Sequence, residues 1–343
     1  MKKSVCVIGH FDWSGNSMIG ATVKARNILV QLEKKLSPDY MISNVDIFGW
    51  KKQKNTVLLS IIKAFCRNER IVLVISETRG KILILISLLK YIFHNKISFC
   101  VVGGDIDKNI ADNPRRKKGV KCIDKFFVET EKCRRGLRDV GITNVDILKN
   151  FKILKPLSNV KNYTDTIYRF CIFSRITEEK GVSDAIKAID VLSKKGFMVQ
   201  LDIYGMISPE YEKEFWAIIQ DTNCKYCGCV DAKKSVSTIS EYYCLLFPTR
   251  FDGEGMPGTI IDAFAAGIPI ICSDWKYRAE MIQDNVNGLV YPYKQGMLLI
   301  EKMEFAINNK KVIDAMRKEA LLSYDLYRPE VAIQPLINWI KAD

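Results

Sequence analysis

Short continuous apolar runs, each followed by a stretch with helical spacing, recur along almost the whole chain. Ser4–Ile8, Met41–Ile47, Ile71–Ile75, Ile97–Val102, Lys125–Val128 and Asn144–Leu148 read as strands. Ala21–Leu36, Val57–Phe65, Lys81–Phe93 and Glu131–Val140 read as the helices among them. Most of these strands are apolar throughout rather than alternating. They are therefore buried on both faces, as in a parallel sheet covered by helices.

The pattern weakens over 150–166, where Pro156, Asn159 and Asn162 fall, and then restarts. Strands are expected at Ile167–Phe173, Val199–Tyr204, Lys225–Cys227, Tyr243–Phe247, Pro269–Cys272 and Gly288–Tyr291. Helices are expected at Ser183–Leu192, Glu210–Ile219, and from Lys294 onward. The fold class is α/β: two Rossmann-like, doubly wound parallel-sheet domains with a cleft between them. The expected division is 1–155, a linker at 156–166, a second domain at 167–327, and a C-terminal helix at 328–343 that returns to the first domain. At 343 residues, two domains agree with the usual domain size. Ligands in such sheets bind at the carboxyl ends of the strands.

Composition narrows the class. The apolar content of 48% is enough to form cores, so disorder is excluded. The longest apolar stretch, Ile82–Leu89, is far short of the roughly 18–20 residues a bilayer span needs. Met1-Lys2-Lys3 leads directly into a strand rather than into a signal-peptide core. Eleven scattered cysteines then read as reduced thiols in a cytoplasmic protein. The formal charge of +13 points to phosphate-bearing partners. It is unevenly placed: residues 1–165 carry 31 Lys and Arg against 15 acids, while 166–343 carry 21 against 24. Runs such as Arg115–Lys118 and Lys51–Lys54, and basic residues interleaved with apolar ones over Lys81–Lys96, suit the face of an anionic membrane.

The segment Phe247–Pro269, FPTRFDGEGMPGTIIDAFAAGIP, carries the most chemistry. A strand ends at Phe247, a Gly-rich polar loop follows, and a helix opens near Pro257 and stops at Gly267. The loop delivers Glu254 to a strand end, beside the free N–H groups of a helix start, a ready anion site. Asp262 follows Glu254 by eight residues, about two turns into the helix, where it can point into the cleft.

This segment resembles the retaining glycosyltransferases of family 4, which have the GT-B fold. Their acidic pair is spaced E-x7-E ahead of a small-residue helix ending in G-x-P; here the second acid is Asp262. Phe173-Ser174-Arg175-Ile176 with Glu179-Lys180-Gly181 is similar to the family's basic pair. Leu201–Gly205, Tyr226–Val230 and Asn285–Val290 match weaker landmarks, and Gly15–Arg26 and Val101–Gly104 resemble the glycine loops of its first domain.

The resemblance implies a transferase that takes a sugar from a UDP- or GDP-sugar and passes it, with retention, to a lipid-linked or glycan acceptor. Bacterial surface polysaccharide or capsule synthesis is the implied setting. Arg175 and Lys180 would hold the donor diphosphate and Glu254 the sugar hydroxyls. Gly205, Gly255, Met256, Pro257, Gly258 and Thr259 would line the donor, with main-chain N–H groups facing its sugar and phosphates. Asp262 would bind the ribose. In the first domain, Gly15 and Gly20 would let the backbone approach the donor. His10 and Asp105 are candidate acceptor-side residues; where many members carry a His before a glycine, this chain has Gly103-Gly104-Asp105. Domain closure would exclude water. No metal or other cofactor is expected, nor nucleic acid, and the basic first domain would place the enzyme at the inner face of the cell membrane.

Other readings carry distinct signals. A nucleotide-sugar epimerase could use the same fold. Asp105-Ile106-Asp107 matches the D-x-D of metal-dependent glycosyltransferases, but that fold does not account for a second α/β unit. Cys224, Cys227 and Cys229 contain one C-x2-C without a second ligand pair, which argues against zinc. A purely basic nucleic-acid or membrane binder leaves the Glu254 loop unexplained.

Overall fold

The structure, a computed structural model, describes residues 3–13, 15, 19–50, 52–76, 80–104, 106–112 and 119–342, with backbone alone at 76 and 80–84. The chain divides into two compact units, Met1–Ile153 with Tyr327–Asp343, and Leu154–Leu326.

The first unit runs β1 (Lys3–Gly9), α1 (Gly20–Leu36), β2 (Tyr40–Asp46), α2 (Lys54–Arg67), β3 (Arg70–Ser76), α3 (Gly80–Phe93), β4 (Lys96–Val102), α4 (Ile106–Ala111), β5 (Lys125–Val128), α5 (Glu131–Asp139) and β6 (Val145–Ile147). The strands form one sheet in the order β2-β1-β3-β4-β5-β6, every pair parallel. The chain moves outward from β1 to β2 and then crosses back to β3. Right-handed crossovers therefore place α1 on one face and α2 and α3 on the other. Successive strand residues divide between the faces. Val5, Val7, Val72 and Val74 share a core with Ala25, Ile28, Leu29 and Leu32 of α1, and α2 buries Val57, Ile61, Ala64 and Phe65. Leu336, Ile337 and Ile340 of the closing helix Gln334–Lys341 join the α1 core. Arg70 holds that helix by stacking on Trp339, 5.2 Å from the ring centroid, and donating to the Ala342 carbonyl. Buried Lys24 of α1 donates to Glu129 at 2.6 Å and to the Val101 carbonyl at 2.7 Å, tying the helix to the ends of β4 and β5.

The second unit runs β7 (Tyr168–Phe173), α6 (Val182–Lys194), β8 (Val199–Tyr204), α7 (Glu212–Ile219), β9 (Cys224–Tyr226), α8 (Ser235–Ile239), β10 (Cys244–Phe247), α9 (Gly258–Ala265), β11 (Ile270–Ser273), β12 (Gly288–Tyr291), α10 (Leu298–Asn308) and α11 (Lys310–Ser323). Its sheet order is β12-β11-β10-β7-β8-β9, again all parallel. The direction of strand addition reverses between β7 and β10. Such a switch point opens a crevice at the carboxyl ends of the two strands.

The segment 156–166, expected as a linker, is built into this second unit. Tyr163 is buried in its core, its hydroxyl donating to the Ile167 carbonyl at 2.6 Å and accepting from the Arg169 N–H at 2.8 Å. The Leu157 N–H bonds the Ala265 carbonyl at the end of α9. The Pro and Asn residues break regular structure without freeing the chain. Arg317, also buried, donates to the carbonyls of Tyr242 and Tyr243 at 2.6 and 3.0 Å. Burial pulls its pKa below the ordinary value, with nearby Cys244 and Asp314 opposing.

Candidate active site

In the second unit, the candidate donor residues fall at the switch point. After β7 the chain passes exposed Arg175, makes a tight turn over Glu178–Lys180, and enters α6 through Gly181 at φ 69°. A Cβ at Gly181 would overlap the carbonyl oxygen of Pro248, so the close approach of the two loops requires glycine there. Gly205, at the end of β8, has φ 137°, and a Cβ would overlap the Ser174 carbonyl. Both glycines let the β7 loop lie against its neighbours on either side.

Lys180 and Glu254 meet across this junction. The ammonium donates to Glu254 Oε2, and the side chains are only 13% and 12% exposed. Thr249, itself buried, donates to the same oxygen at 3.2 Å. The Lys180 ammonium also stands 5.1 Å from the centroid of the Phe251 ring, a cation–π contact. The pair is thus a partly dehydrated cation and carboxylate on two different strand-end loops.

Arg250 holds the two loops together. Its guanidinium forks onto Asp184 at 2.9 and 2.6 Å and reaches Ser183 Oγ at 3.1 Å, both in the first turn of α6. Its N–H donates to the Glu179 carbonyl at 2.7 Å. Its carbonyl lies 2.6 Å from the Tyr293 hydroxyl, which also faces Asp252 at 2.8 Å. Burial, then the Asp252 carboxylate, pushes that phenol above its ordinary value. From below, Ser273 Oγ donates to the Thr249 carbonyl at 2.6 Å and Trp275 Nε1 to the Gly255 carbonyl at 3.2 Å. The Glu254 loop is therefore braced on three sides.

The loop ends at Met256 and Pro257, both buried, and α9 begins at Gly258 without a side-chain cap. First-turn N–H groups of a helix have no intrahelical acceptor. Thr259 Oγ1 is buried there without a hydrogen-bond partner among the described residues. Asp262 is buried about one turn into α9 rather than the two expected, because the helix begins only at Gly258 and not nearer Glu254, and its Oδ1 is 2.9 Å from Ser235 Oγ on α8.

The remaining candidates lie in the first unit. His10, directly after β1, is buried with its ring edge-on to Phe48. Gly15 sits in a turn that Arg26 straps, through the carbonyls of Phe11, Asp12 and Gly15. Gly20 opens α1. Asp105, and with it the D-x-D reading, lies outside the described residues, as do Arg115–Lys118 and Lys51. Among the described residues no cluster of three or more His, Cys, Asp or Glu is placed to hold a metal ion, and no helix is long and apolar enough to cross a membrane. A cavity of about 510 Å³ opens at the other end of the second sheet, lined by Phe197, Val199 and Cys224 among others, away from the strand-end loops.

The sequence reading did not anticipate Thr249, Arg250, Asp184 or Tyr293. Asp184 and Arg250 are 66 residues apart, and no local spacing marks them as partners. Gly181 was within reach: a glycine directly after a basic residue at a strand-to-helix turn is a positive-φ signal.

Comparison with known proteins follows the same division. Residues 158–322 match the family model Glycosyl transferases group 1. The amylovoran biosynthesis glycosyltransferase AmsK of Erwinia amylovora is 30% identical over 132 residues, 36% of this chain and 32% of that protein. The capsular polysaccharide biosynthesis glycosyltransferase CapM of Staphylococcus aureus is 24% identical over 145 residues, 40% of this chain and 36% of its own. The matched stretches thus span about a third of those relatives' length. Among solved structures, Anabaena Alr3699/HepE in complex with UDP and glucose superposes with a TM-score of 0.72 at 10% identity, over 98% of this chain and 99% of that one. The apo lipopolysaccharide outer core galactosyltransferase WaaB gives 0.67 at 15% identity, over 98% and 99%. Residues 158–322 thus match the glycosyl transferases group 1 model, on a chain with the two-domain α/β GT-B fold.

Proposed function

We propose that this chain is a retaining glycosyltransferase. It moves a sugar from a UDP- or GDP-sugar to a lipid-linked or glycan acceptor during the assembly of a bacterial surface polysaccharide. The observation that carries this reading is the Lys180–Glu254 pair at the switch point, beside the uncapped start of α9. A nucleoside diphosphate-sugar needs cations for a leaving diphosphate and a carboxylate for sugar hydroxyls, a few ångströms apart. Lys180, exposed Arg175 and the N–H groups of Gly258 and Thr259 at the start of α9 serve the first need, and Glu254 the second. The Thr259 hydroxyl adds a donor at the helix start. Asp262 is assigned to the ribose hydroxyls, with Ser235 positioning its carboxylate.

In the proposed reaction the acceptor oxygen bonds to the anomeric carbon as the bond from that carbon to the diphosphate oxygen breaks. The leaving phosphate takes the acceptor proton. Lys180 and Arg175 neutralise charge as it develops on the leaving group, and Glu254 fixes the sugar's orientation. No metal is needed on this reading. His10, and Asp105 with it, remain proposed for the acceptor side. The basic first unit would sit against an anionic membrane on its cytoplasmic side.

Incubation with a panel of nucleotide-sugars and polyprenyl-linked acceptors, followed by NMR of the product, tests this. A product with the donor's anomeric configuration, formed equally well with EDTA, supports it. Inversion, or activity that EDTA abolishes and Mn²⁺ restores, overturns the mechanism. Conversion of the donor with no acceptor present would favour an epimerase.

A further inference from the structure

The geometry points to a saccharide-stacking platform in the first unit, formed by the rings of Trp13 and Phe48, that reads a sugar ring of the acceptor. The two rings stand on the loops that leave β1 and β2. Those strands end level with each other, Gly9 paired with Asp46. Trp13 is 57% exposed and Phe48 41%.

Both rings are held by their surroundings. The Asp46 carboxylate accepts from the N–H groups of Phe11 at 2.9 Å, Phe48 at 2.8 Å and Trp13 at 3.4 Å, so one side chain fixes both loops. The Trp13 indole N–H donates to Asn44 Oδ1 at 3.2 Å. Its ring stacks on buried Phe11, with centroids 5.1 Å apart and planes 5° from parallel. The Arg26 guanidinium lies 6.0 Å from the Trp13 ring centroid while it straps the turn through the carbonyls of Phe11 and Asp12. Asp12, directly before Trp13, takes a left-handed φ of 49°. Phe48 meets the buried His10 ring edge-on at 6.2 Å, and Gly49 at φ 72° turns the chain after it. These ties fix the ring planes before any ligand arrives, and a preorganised plane binds with little further loss of side-chain freedom.

The surroundings select a sugar. The face of an aromatic ring carries negative potential, and the axial C–H bonds of a pyranose present a flat, weakly positive patch that fits it. Hydroxyls at the rim of that sugar need polar partners, and exposed Asn44 stands at the indole edge. An isoprenoid chain would be met by aliphatic side chains, whereas residues 10–13 and 47–50 expose two aromatic rings and no aliphatic side chain. Position agrees, since His10, the acceptor-side candidate, packs on Phe48. The inference deepens the acceptor side of the proposed function and rests on it.

The test follows the tryptophan indole N–H signals of the full chain by NMR, that of Trp13 being the one lost in Trp13→Phe. The probes are the methyl glycosides of glucose, galactose, mannose and N-acetylglucosamine, and the disaccharides cellobiose, lactose and chitobiose. The expected result is a saturable shift of the Trp13 signal by at least one of them. By calorimetry, Trp13→Ala should weaken that sugar about tenfold or more and Phe48→Ala about threefold. Trp13→Phe, which keeps a stacking face, should weaken it less than Trp13→Ala, and it serves alone with Phe48→Ala if the alanine variant does not fold. No shift with any probe at tens of millimolar, or undiminished binding by the variants, overturns the inference. So does a shift with undecaprenyl phosphate in detergent and none with the sugars, since the rings would then take the lipid of an acceptor. Sugar binding at Trp13 in a chain that binds no nucleotide-sugar would leave the platform standing and remove the proposed transfer. Nucleotide-sugar binding with no sugar at Trp13 would remove the platform alone.

Discussion

Lys180 donates to Glu254 from the loop after β7 to the loop after β10, on neighbouring strands added in opposite directions. The two groups come from loops 74 residues apart in the chain. Their meeting depends on β7 and β10 being adjacent and on Gly181 admitting the Pro248 carbonyl.

Replacing Glu254 with Gln removes the charge and keeps the shape. Turnover should fall by about 10²–10³. The melting temperature should change little, because Lys180 retains a hydrogen-bond acceptor and its place over the Phe251 ring. Steady-state kinetics with a calorimetric melt checks both; near-normal turnover would remove Glu254 from the site.

Arg250 ties the Glu254 loop to the start of α6 and is proposed as a positioning residue. Arg250→Met should raise the donor KM and lower kcat together, with a stability loss of about 1–3 kcal/mol from the stranded Asp184 carboxylate. Arg250→Lys should recover little, because an ammonium cannot reproduce the two-pronged contact with Asp184 plus the bond to Ser183. A lysine variant with wild-type KM and kcat would show that the fork is dispensable.

Gly205→Ala tests the backbone at the end of β8. With φ at 137° and the Ser174 carbonyl in the way, the change should cost about 1–3 kcal/mol and disturb the β7 loop. Denaturant titration measures the loss, and an unchanged midpoint would mean that the loop can move aside.

The fold was legible because burial on both faces writes itself as continuous apolar strands, and Val5–Ile8 and Ile71–Ile75 are nearly inaccessible in the structure. The Glu254 loop was legible because glycine, proline and a charged residue at a strand end have local causes. Arg250–Asp184 was not, since pairing across 66 residues depends on which strands become neighbours. The stretch 156–166 misled for a related reason: Pro and Asn report broken secondary structure, whereas the burial of Tyr163 comes from tertiary packing.

The thiols give a pH prediction. Burial raises Cys6 and Cys224 to about 11 and Cys100 and Cys244 to about 12, from an ordinary 9.0. Above pH 9 the unfolded chain therefore loses these protons before the folded one does. Stability should be full below pH 9 and fall as pH rises toward 12, by up to about 1.4 kcal/mol per pH unit for each such thiol. Denaturant midpoints across that range check it; a flat profile would contradict it. At neutral pH a disulfide reagent should modify exposed Cys66 and Cys229 quickly and the buried thiols only on unfolding.

Lys180 and Glu254 are proposed as the heart of a nucleotide-sugar site. Calorimetric titration of UDP- and GDP-sugars into the wild-type chain and into Lys180→Ala tests it most directly. Saturable binding of one nucleotide class to the wild type is expected, weakened about tenfold or more by the substitution. Binding of equal strength to Lys180→Ala would contradict it.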